Sequence, residues 1–253
     1  MTSLYLSVII PAYNEEKRLP GTLVDIDKHL RDADFSYEII VVNDGSKDGT
    51  AKVVRNLSKS VKNLKLVDNE ANKGKGGVVR QGMLLARGKI RLFTDADNST
   101  SIGHFKLMRP QFSAEGGSAS GGEKGFDVVI GSRAIRGAKL DPPELWYRQI
   151  AGKVGNLIIQ ILLLPGLWDT QCGFKAFTAE AAERVFYVSK VTGWGFDVEI
   201  LALAKKFGYK IKEIPVHWVN DFSSTVKASA YFTTLIETLK IRWWLWTGKY
   251  HVT

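Results

Sequence analysis

Short apolar runs that stop at polar residues, separated by longer stretches with helical spacing, constrain this chain more than any other feature. Leu4 to Ile10, Tyr37 to Asn43, Leu64 to Val67 and Lys89 to Thr94 read as strands. Between them, Asn14 to Leu30 puts Leu19, Leu23, Ile26 and Leu30 on one helical face, and Gly76 to Ala86 reads as a further helix. Ile39, Ile40, Val41 and Val42 are apolar at consecutive positions, as expected of a strand covered on both faces of its sheet. This β-α-β-α rhythm predicts an α/β fold, a mostly parallel sheet with helices on both faces. In such sheets ligands bind beyond the carboxyl ends of the strands.

Tyr13, Asp44 and Asp95 all fall at those ends, so residues far apart in sequence are expected to meet in one cleft. Asp95-Ala96-Asp97 follows directly on Ile90-Arg91-Leu92-Phe93-Thr94. Carboxylates fixed at a strand end suit a hard divalent cation, with phosphate oxygens completing its shell. An enzyme that breaks a nucleoside diphosphate from a sugar uses such a cation to neutralise charge on the leaving group. The alternative is that Asp97-Asn98-Ser99 only caps a following helix. Asp44 to Thr50 (Asp-Gly-Ser-Lys-Asp-Gly-Thr) is turn chemistry leading into another helix.

Further along, Glu115 to Gly125 reads as a flexible loop and Val128 to Gly131 as a strand ending at Ser132-Arg133. Trp146 to Leu164, Gly195 to Phe207 and Thr225 to Trp246 read as helices, and Phe174 to Phe177 and Ile211 to His217 as late strands. A length of 253 residues suits one large domain or one domain with an appendage. The single cysteine, Cys172, allows no intrachain disulfide, and four scattered histidines suggest no zinc site. The formal charge of +9 suits nucleic acid, anionic lipid or phosphorylated substrates. No helix-turn-helix, Cys/His finger or RNP-type strand pair supports nucleic acid. Met1-Thr2-Ser3 runs straight into the first strand, so no signal peptide is expected.

Pro11-Ala12-Tyr13-Asn14-Glu15, Val42-Asn43-Asp44-Gly45-Ser46 and Asp95-Ala96-Asp97, in this order and each at a strand end, resemble the family 2 glycosyltransferases of GT-A fold. Asn72-Lys73-Gly74-Lys75-Gly76-Gly77, Gly131-Ser132-Arg133, Asp169 to Lys175 and Trp194 to Glu199 narrow the resemblance to dolichyl-phosphate sugar synthases, more to the glucosyl than to the mannosyl branch. Eukaryotic glucosyl members carry an N-terminal membrane helix not seen in this sequence. The mannosyl members follow the acidic pair with Leu and Gln, where this chain has Asn98-Ser99.

The resemblance implies a nucleoside pocket lined by Pro11, Tyr13 and Glu15, with Glu15 near the ribose and Asp44 on the base. The alternative for Asp44 is a turn residue that caps the next helix. It further implies Mg²⁺ or Mn²⁺ held by Asp95 and Asp97 on the donor diphosphate. Lys75, in a glycine-flanked loop, would face phosphate or else solvent. Arg133 ends a strand at the same cleft edge, where a guanidinium fork matches phosphate oxygens. Arg148 and Lys227 are further candidates for the acceptor phosphate, the alternative for each being an exposed basic residue. Asp197 and Glu199 would contact the donor sugar, support those that do, or serve as helix N-terminal acids.

The expected reaction is an inverting, metal-dependent transfer of glucose from UDP-glucose to a polyprenyl phosphate. A lipid phosphate needs no general base, because its second pKa is about 6 and it is largely dianionic near neutrality. A sugar hydroxyl acceptor would need one. The rivals are a GDP-mannose-dependent enzyme of the same kind, a transferase acting on a saccharide hydroxyl, and a nucleotide-sugar-binding protein of the membrane surface. Residues 1–223 would form the GT-A domain, with an interfacial helix over 146–165. Residues 224–253 would add a C-terminal amphipathic helix whose Trp243, Trp244, Trp246 and Tyr250 lie beside Lys240, Arg242 and Lys249. The alternative is that both helices pack only on the sheet or at a dimer surface. With the resemblance, these features imply a protein expected to lie peripherally at the cytoplasmic face of a membrane.

Overall fold

The computed structural model describes residues 4–112, 125–142, 146–220 and 229–250. Its main sheet contains seven strands in the order β3-β2-β1-β4-β7-β5-β8. These are β1 (Leu6–Ala12), β2 (Tyr37–Asp44), β3 (Leu64–Asn69), β4 (Ile90–Thr94), β5 (Val128–Ser132), β7 (Phe174–Thr178) and β8 (Ile211–Pro215). All neighbours run parallel except β7, which lies antiparallel between β4 and β5. Two three-residue strands, β6 (Lys139–Asp141) and β9 (His217–Val219), pair in a second small sheet.

The alternation along each strand decides which helices cover it. Leu6, Val8 and Ile10 of β1 point into one core with Leu19, Leu23, Ile26 and Leu30 of helix α1 (Leu19–Leu30). Ile9, between them, points into the opposite core with Val78, Val79 and Met83 of α3 (Lys75–Leu85). In β2, Ile39 and Val41 join the first core, Ile40 and Val42 the second. Helix α2 (Thr50–Leu57) and the short α4 (Phe105–Met108) cover the first face. Helices α6 (Ala179–Val188) and α7 (Phe196–Lys206) cover the second, joined there by residues of α5 (Trp146–Leu162) and α8 (Ser229–Trp246).

Some expected elements shift. The first helix begins at Leu19 rather than Asn14, because residues 14–18 form the turn that leaves β1. The expected strand Ile211 to His217 splits at Val216 into β8 and β9. Helix α6 was not expected from the sequence, although Thr178 caps it by accepting from the Ala181 N–H at 3.3 Å. Of the expected loop Glu115 to Gly125, residues 115–124 lie outside the described residues, as do residues 225–228 of the expected final helix.

The chain runs from β1 outward to β2 and β3, then returns to place β4 on the other side of β1. The switch point therefore lies between β1 and β4, where a crevice opens in sheets of this kind. Register levels the strand ends there: Ala12 pairs with Asn43, and Ile9 with Phe93 three residues before Ala96.

One half-buried histidine ties two loops together behind the crevice. His104 Nε2 accepts from the His217 N–H at 3.0 Å, and Nδ1 lies 3.1 Å from the Ser101 carbonyl, so the neutral ring donates from Nδ1. Burial, with His217 and Lys106 adding to it, lowers the His104 pKa below its ordinary 6.5. The unfolded chain then takes up this proton first as pH falls. The contribution of the neutral ring is present above about 6.5 and is lost as pH falls from there toward the folded value. We expect urea denaturation at pH 7 and pH 5 to show a larger loss of stability at pH 5 in the wild type than in His104→Gln, whose carboxamide does not titrate. Equal losses would contradict this role.

Candidate active site

The turns that leave β1 and β2 clamp each other. The Asn14 N–H donates to Ser46 Oγ at 2.9 Å, and the Lys47 N–H returns a bond to Asn14 Oδ1 at 2.9 Å. Glu15 N–H donates to Thr50 Oγ1 at 2.8 Å. Beyond β4, Thr22 of α1 donates to the Ala96 carbonyl at 2.6 Å and so fixes the peptide between Asp95 and Asp97. Three strand ends thus carry their polar residues on one tied frame.

On that frame stand Glu15, Asp95 and Asp97. Burial raises the Asp97 carboxyl above its ordinary range, and repulsion from Asp95 adds to it. Burial also raises Glu15; Arg18, which forks onto it with Nε at 2.7 Å, opposes the rise, and Asp97 and Asp95 add to it. The three carboxylates therefore feel one another, although no group of three His, Cys, Asp or Glu able to hold a metal occurs among the described residues. Asp97 Oδ1 also accepts from the Ser99 N–H at 3.0 Å, a local turn, while the cap of the helical turn that follows is Ser101 and not Asp97.

Lys75 opens α3 and reaches across the crevice to Asp95, Nζ to Oδ1 2.7 Å. Its ammonium also lies 5.3 Å from the centre of the Trp194 ring. Burial pulls the Lys75 pKa down, but the charges of Asp95, Asp197 and Asp97 outweigh this and hold it above its ordinary value. An ammonium thus sits on Asp95 in this structure. Two half-exposed carboxylates of this kind provide the hard oxygen donors that Mg²⁺ or Mn²⁺ prefers.

The antiparallel strand β7 completes the wall. It pairs Lys175 with Phe93 and Phe174 with Thr94, which carries Gly173 onto Asp95. A Cβ on Gly173 would lie 1.9 Å from Asp95 Oδ2, so only glycine lets this backbone approach. Lys175 is fully buried and donates to Asp197 Oδ1 and to the Cys172 carbonyl, each at 2.5 Å. Cys172 is buried beside it, its thiol pushed up to about 12 by desolvation, and so stays an inert thiol.

The other expected residues fall as follows. Pro11 is buried and Tyr13 is exposed at the lip of β1. Asp44 is buried and accepts from the Lys73 N–H at 2.6 Å; helix α2 has no side-chain cap, so Asp44 ties down the loop before α3 instead. Arg133 forks onto Asp169, Nε to Oδ2 2.7 Å and Nη2 to Oδ1 2.9 Å, while its guanidinium stacks 4.7 Å from the Trp218 ring centre. Desolvation works against the Asp169 charge, but Arg133 outweighs it and holds the carboxyl below the usual range. Glu199 accepts from the Lys190 and Val191 N–H groups and from the Tyr250 hydroxyl, the last at 2.6 Å, and so braces the chain. Arg148 falls in the first turn of α5 with its side chain outside the described residues, and Lys227 lies outside them altogether.

Asp169, Lys175, Trp194 and Trp218 carry roles that local pattern did not announce. Their partners stand far away in sequence, and only the segments that resemble known synthases pointed to the first three.

An acidic pair at the switch point of a GT-A-like α/β sheet, with a lysine paired to Asp95, suits a transferase that handles phosphorylated sugars. The chain belongs to glycosyl transferase family 2, whose family model matches residues 7–186. A dolichyl-phosphate beta-glucosyltransferase of Dictyostelium discoideum is 39% identical over 241 residues, covering 89% of this chain and 72% of that protein. The Homo sapiens enzyme of the same name is 36% identical over 230 residues, covering 84% and 67%. Among solved structures, mannosyl-3-phosphoglycerate synthase from Rubrobacter xylanophilus matches with a TM-score of 0.70 at 16% identity, covering 97% of this chain and 75% of that one. Glucosyl-3-phosphoglycerate synthase from Mycobacterium tuberculosis, crystallised with Mn²⁺, UDP and glucosyl-3-phosphoglycerate, matches with a TM-score of 0.65 at 18% identity, covering 94% and 80%. At such identities the structural likeness establishes the fold.

Proposed function

We propose that this chain transfers glucose from UDP-glucose to a dolichyl-type polyprenyl phosphate, with inversion at the anomeric carbon. The observation that carries this reading is its relation, over most of its length, to enzymes named dolichyl-phosphate beta-glucosyltransferase. The site chemistry supports it. Asp95 and Asp97 would hold Mg²⁺ or Mn²⁺, which when bound supplies positive charge to the diphosphate leaving group. Lys75, 2.7 Å from Asp95, would contact the same diphosphate. Pro11, Tyr13, Glu15 and Asp44 would form the nucleoside pocket on the clamped turns of β1 and β2.

In the reaction a phosphate oxygen of the lipid attacks C1 of glucose as the bond from C1 to the UDP oxygen breaks, and UDP leaves with that electron pair. The attacking dianion needs no base, so the protein's task is to bring two phosphate groups together. Arg133, held rigid by Asp169 and Trp218, would present positive charge to the acceptor phosphate, with Arg148 and Lys227 assisting. With UDP-glucose as donor, glucose is expected on polyprenyl phosphate and not on unphosphorylated polyprenol. Equal transfer to both would contradict the lipid-phosphate reading.

Among the described residues no helix is long and apolar enough to cross a membrane. Two helices that pack on each other instead expose apolar stripes at helical spacing. On α5 the stripe is Ile150, Val154, Leu157 and Ile161, the last 75% exposed; on α8 it is Phe232, Ile236, Leu239, Trp243 and Trp246, the last 82% exposed. The opposite face of α8 is anchored in the core through Ile241 and Trp244. Trp244 and Tyr250, expected in the same aromatic anchor, are buried instead, Trp244 beneath Lys240 and Lys249 and Tyr250 against Glu199, which leaves Trp243 and Trp246 as the exposed aromatic residues beside basic ones. These stripes would seat the enzyme on the cytoplasmic face of a membrane, where the lipid phosphate is presented. The double substitution Ile161→Ser with Trp246→Ser is expected to lower flotation with anionic liposomes by roughly tenfold or more, from the apolar area lost, at unchanged melting temperature. Flotation equal to wild type would contradict the interfacial role.

A further inference from the structure

The turn Gly193-Trp194-Gly195 is held from outside the site by a carboxylate of α8. Glu237 Oε2 accepts from the Gly195 N–H at 2.6 Å. A Cβ on Gly193 would lie 2.4 Å from Glu237 Oε1, and one on Gly195 2.7 Å from Oε2, so both glycines give way to this side chain. Just before the turn, the Lys190 and Val191 N–H groups are held by Glu199 of α7. The Thr192 carbonyl accepts from the Gly76 N–H at 2.9 Å, the residue after Lys75. Residues 190–195 therefore form a strap, fixed at both ends by carboxylates, against which the first turn of α3 is seated.

The middle of that strap is Trp194, whose ring lies beneath the Lys75 ammonium. Lys75 in turn pairs with Asp95. Among the described residues Glu237 makes no hydrogen bond or ion pair to the acidic pair or to the nucleoside turns. We propose that Glu237 is a positioning residue for the donor site: by fixing the Trp194 turn it sets where Lys75 stands relative to the diphosphate. The inference rests on the reading of Lys75 as a donor-phosphate contact. It also gives α8 a second task, since Glu237 lies between Ile236 and Leu239 of the exposed stripe and joins that helix to the donor pocket.

The test is equilibrium binding of UDP with Mn²⁺ to the full chain by calorimetry, on variants of both residues. Lys75→Met and Glu237→Ala are each expected to weaken binding by roughly tenfold, the scale of one charge-assisted hydrogen bond. Glu237→Gln keeps an acceptor for the Gly195 N–H and is expected near wild type. Because Glu237 acts through Lys75, the double variant should bind no more weakly than Lys75→Met alone. Gly195→Ala, whose methyl pushes the turn off Glu237, should resemble Glu237→Ala and carries the test should that variant fold poorly. Wild-type affinity in Glu237→Ala or Gly195→Ala with weakened Lys75→Met, or additive losses in the double variant, would overturn the role of Glu237 alone. Wild-type affinity in Lys75→Met would overturn the reading of Lys75, and this inference with it.

Discussion

Replacing Asp97 by alanine is expected to lower the rate of sugar transfer by roughly two to three orders of magnitude, the scale of removing one preorganised group that stabilises transition-state charge. Folding should survive. Asp97 stands at a turn, its carboxyl pushed up by burial and by Asp95, so the folded state gains from losing that repulsion. The melting temperature should hold or rise while activity falls, the mark of a residue kept for chemistry at some cost in stability. Initial rates at saturating Mn²⁺, with a thermal melt of the same preparation, read both. Transfer near the wild-type rate at saturating Mn²⁺ would contradict the assignment of Asp97.

Asp197→Ala is expected to act in the opposite way, through the fold. It leaves the fully buried Lys175 ammonium with the Cys172 carbonyl as its remaining hydrogen-bond partner among the described residues, and removing one member of such a pair costs about 3–5 kcal/mol. For a chain of this size the melting temperature should fall by roughly 10 °C. The double substitution Lys175→Met with Asp197→Leu removes both charges and should recover most of that loss. A single variant that melts with the wild type would mean that the pair contributes nothing to stability. The pair also borders the site: Asp197 is one of the charges that hold the Lys75 pKa up, so the single variant should bind UDP with Mn²⁺ more weakly even where it stays folded.

The parts of this architecture that could be read from the sequence are those written in runs. Strands β1, β2 and β4 announce themselves because both faces are buried, so their centres are apolar at consecutive positions (Val8 to Ile10, Ile39 to Val42, Leu92 and Phe93) and the polar residues that follow mark the strand end. That rule put Tyr13, Asp44 and Asp95 at one edge before any coordinates. Strands β6 and β9 are three residues each, half-exposed and partly charged, and carry no such signal. The antiparallel course of β7 is equally silent, since Phe174 to Phe177 would look the same in either direction. Yet this direction is what brings Gly173 against Asp95 and buries Lys175.

Pairings between distant segments were out of reach for a related reason. A lone Arg133 at a strand end reads as a free fork for phosphate; the structure shows that fork engaged by Asp169, 36 residues on. Asp44 in Asp-Gly-Ser reads as a turn residue, yet its oxygen serves the backbone of Lys73. Glu237 sits among apolar neighbours of a terminal helix, and nothing in its local pattern points to Gly195. Charge and hydrogen-bond partners are chosen by tertiary approach, and sequence spacing does not encode it.

The most direct measurement is transfer of labelled sugar into an organic-extractable lipid. Purified protein would be offered a polyprenyl phosphate and Mn²⁺ with UDP-glucose, GDP-mannose or UDP-N-acetylglucosamine in separate reactions. Label is expected in the lipid phase from UDP-glucose alone, and none when the metal is chelated. Label from GDP-mannose or UDP-N-acetylglucosamine in preference to UDP-glucose, or none from any donor while UDP still binds, would contradict a glucosyltransferase acting on lipid phosphate.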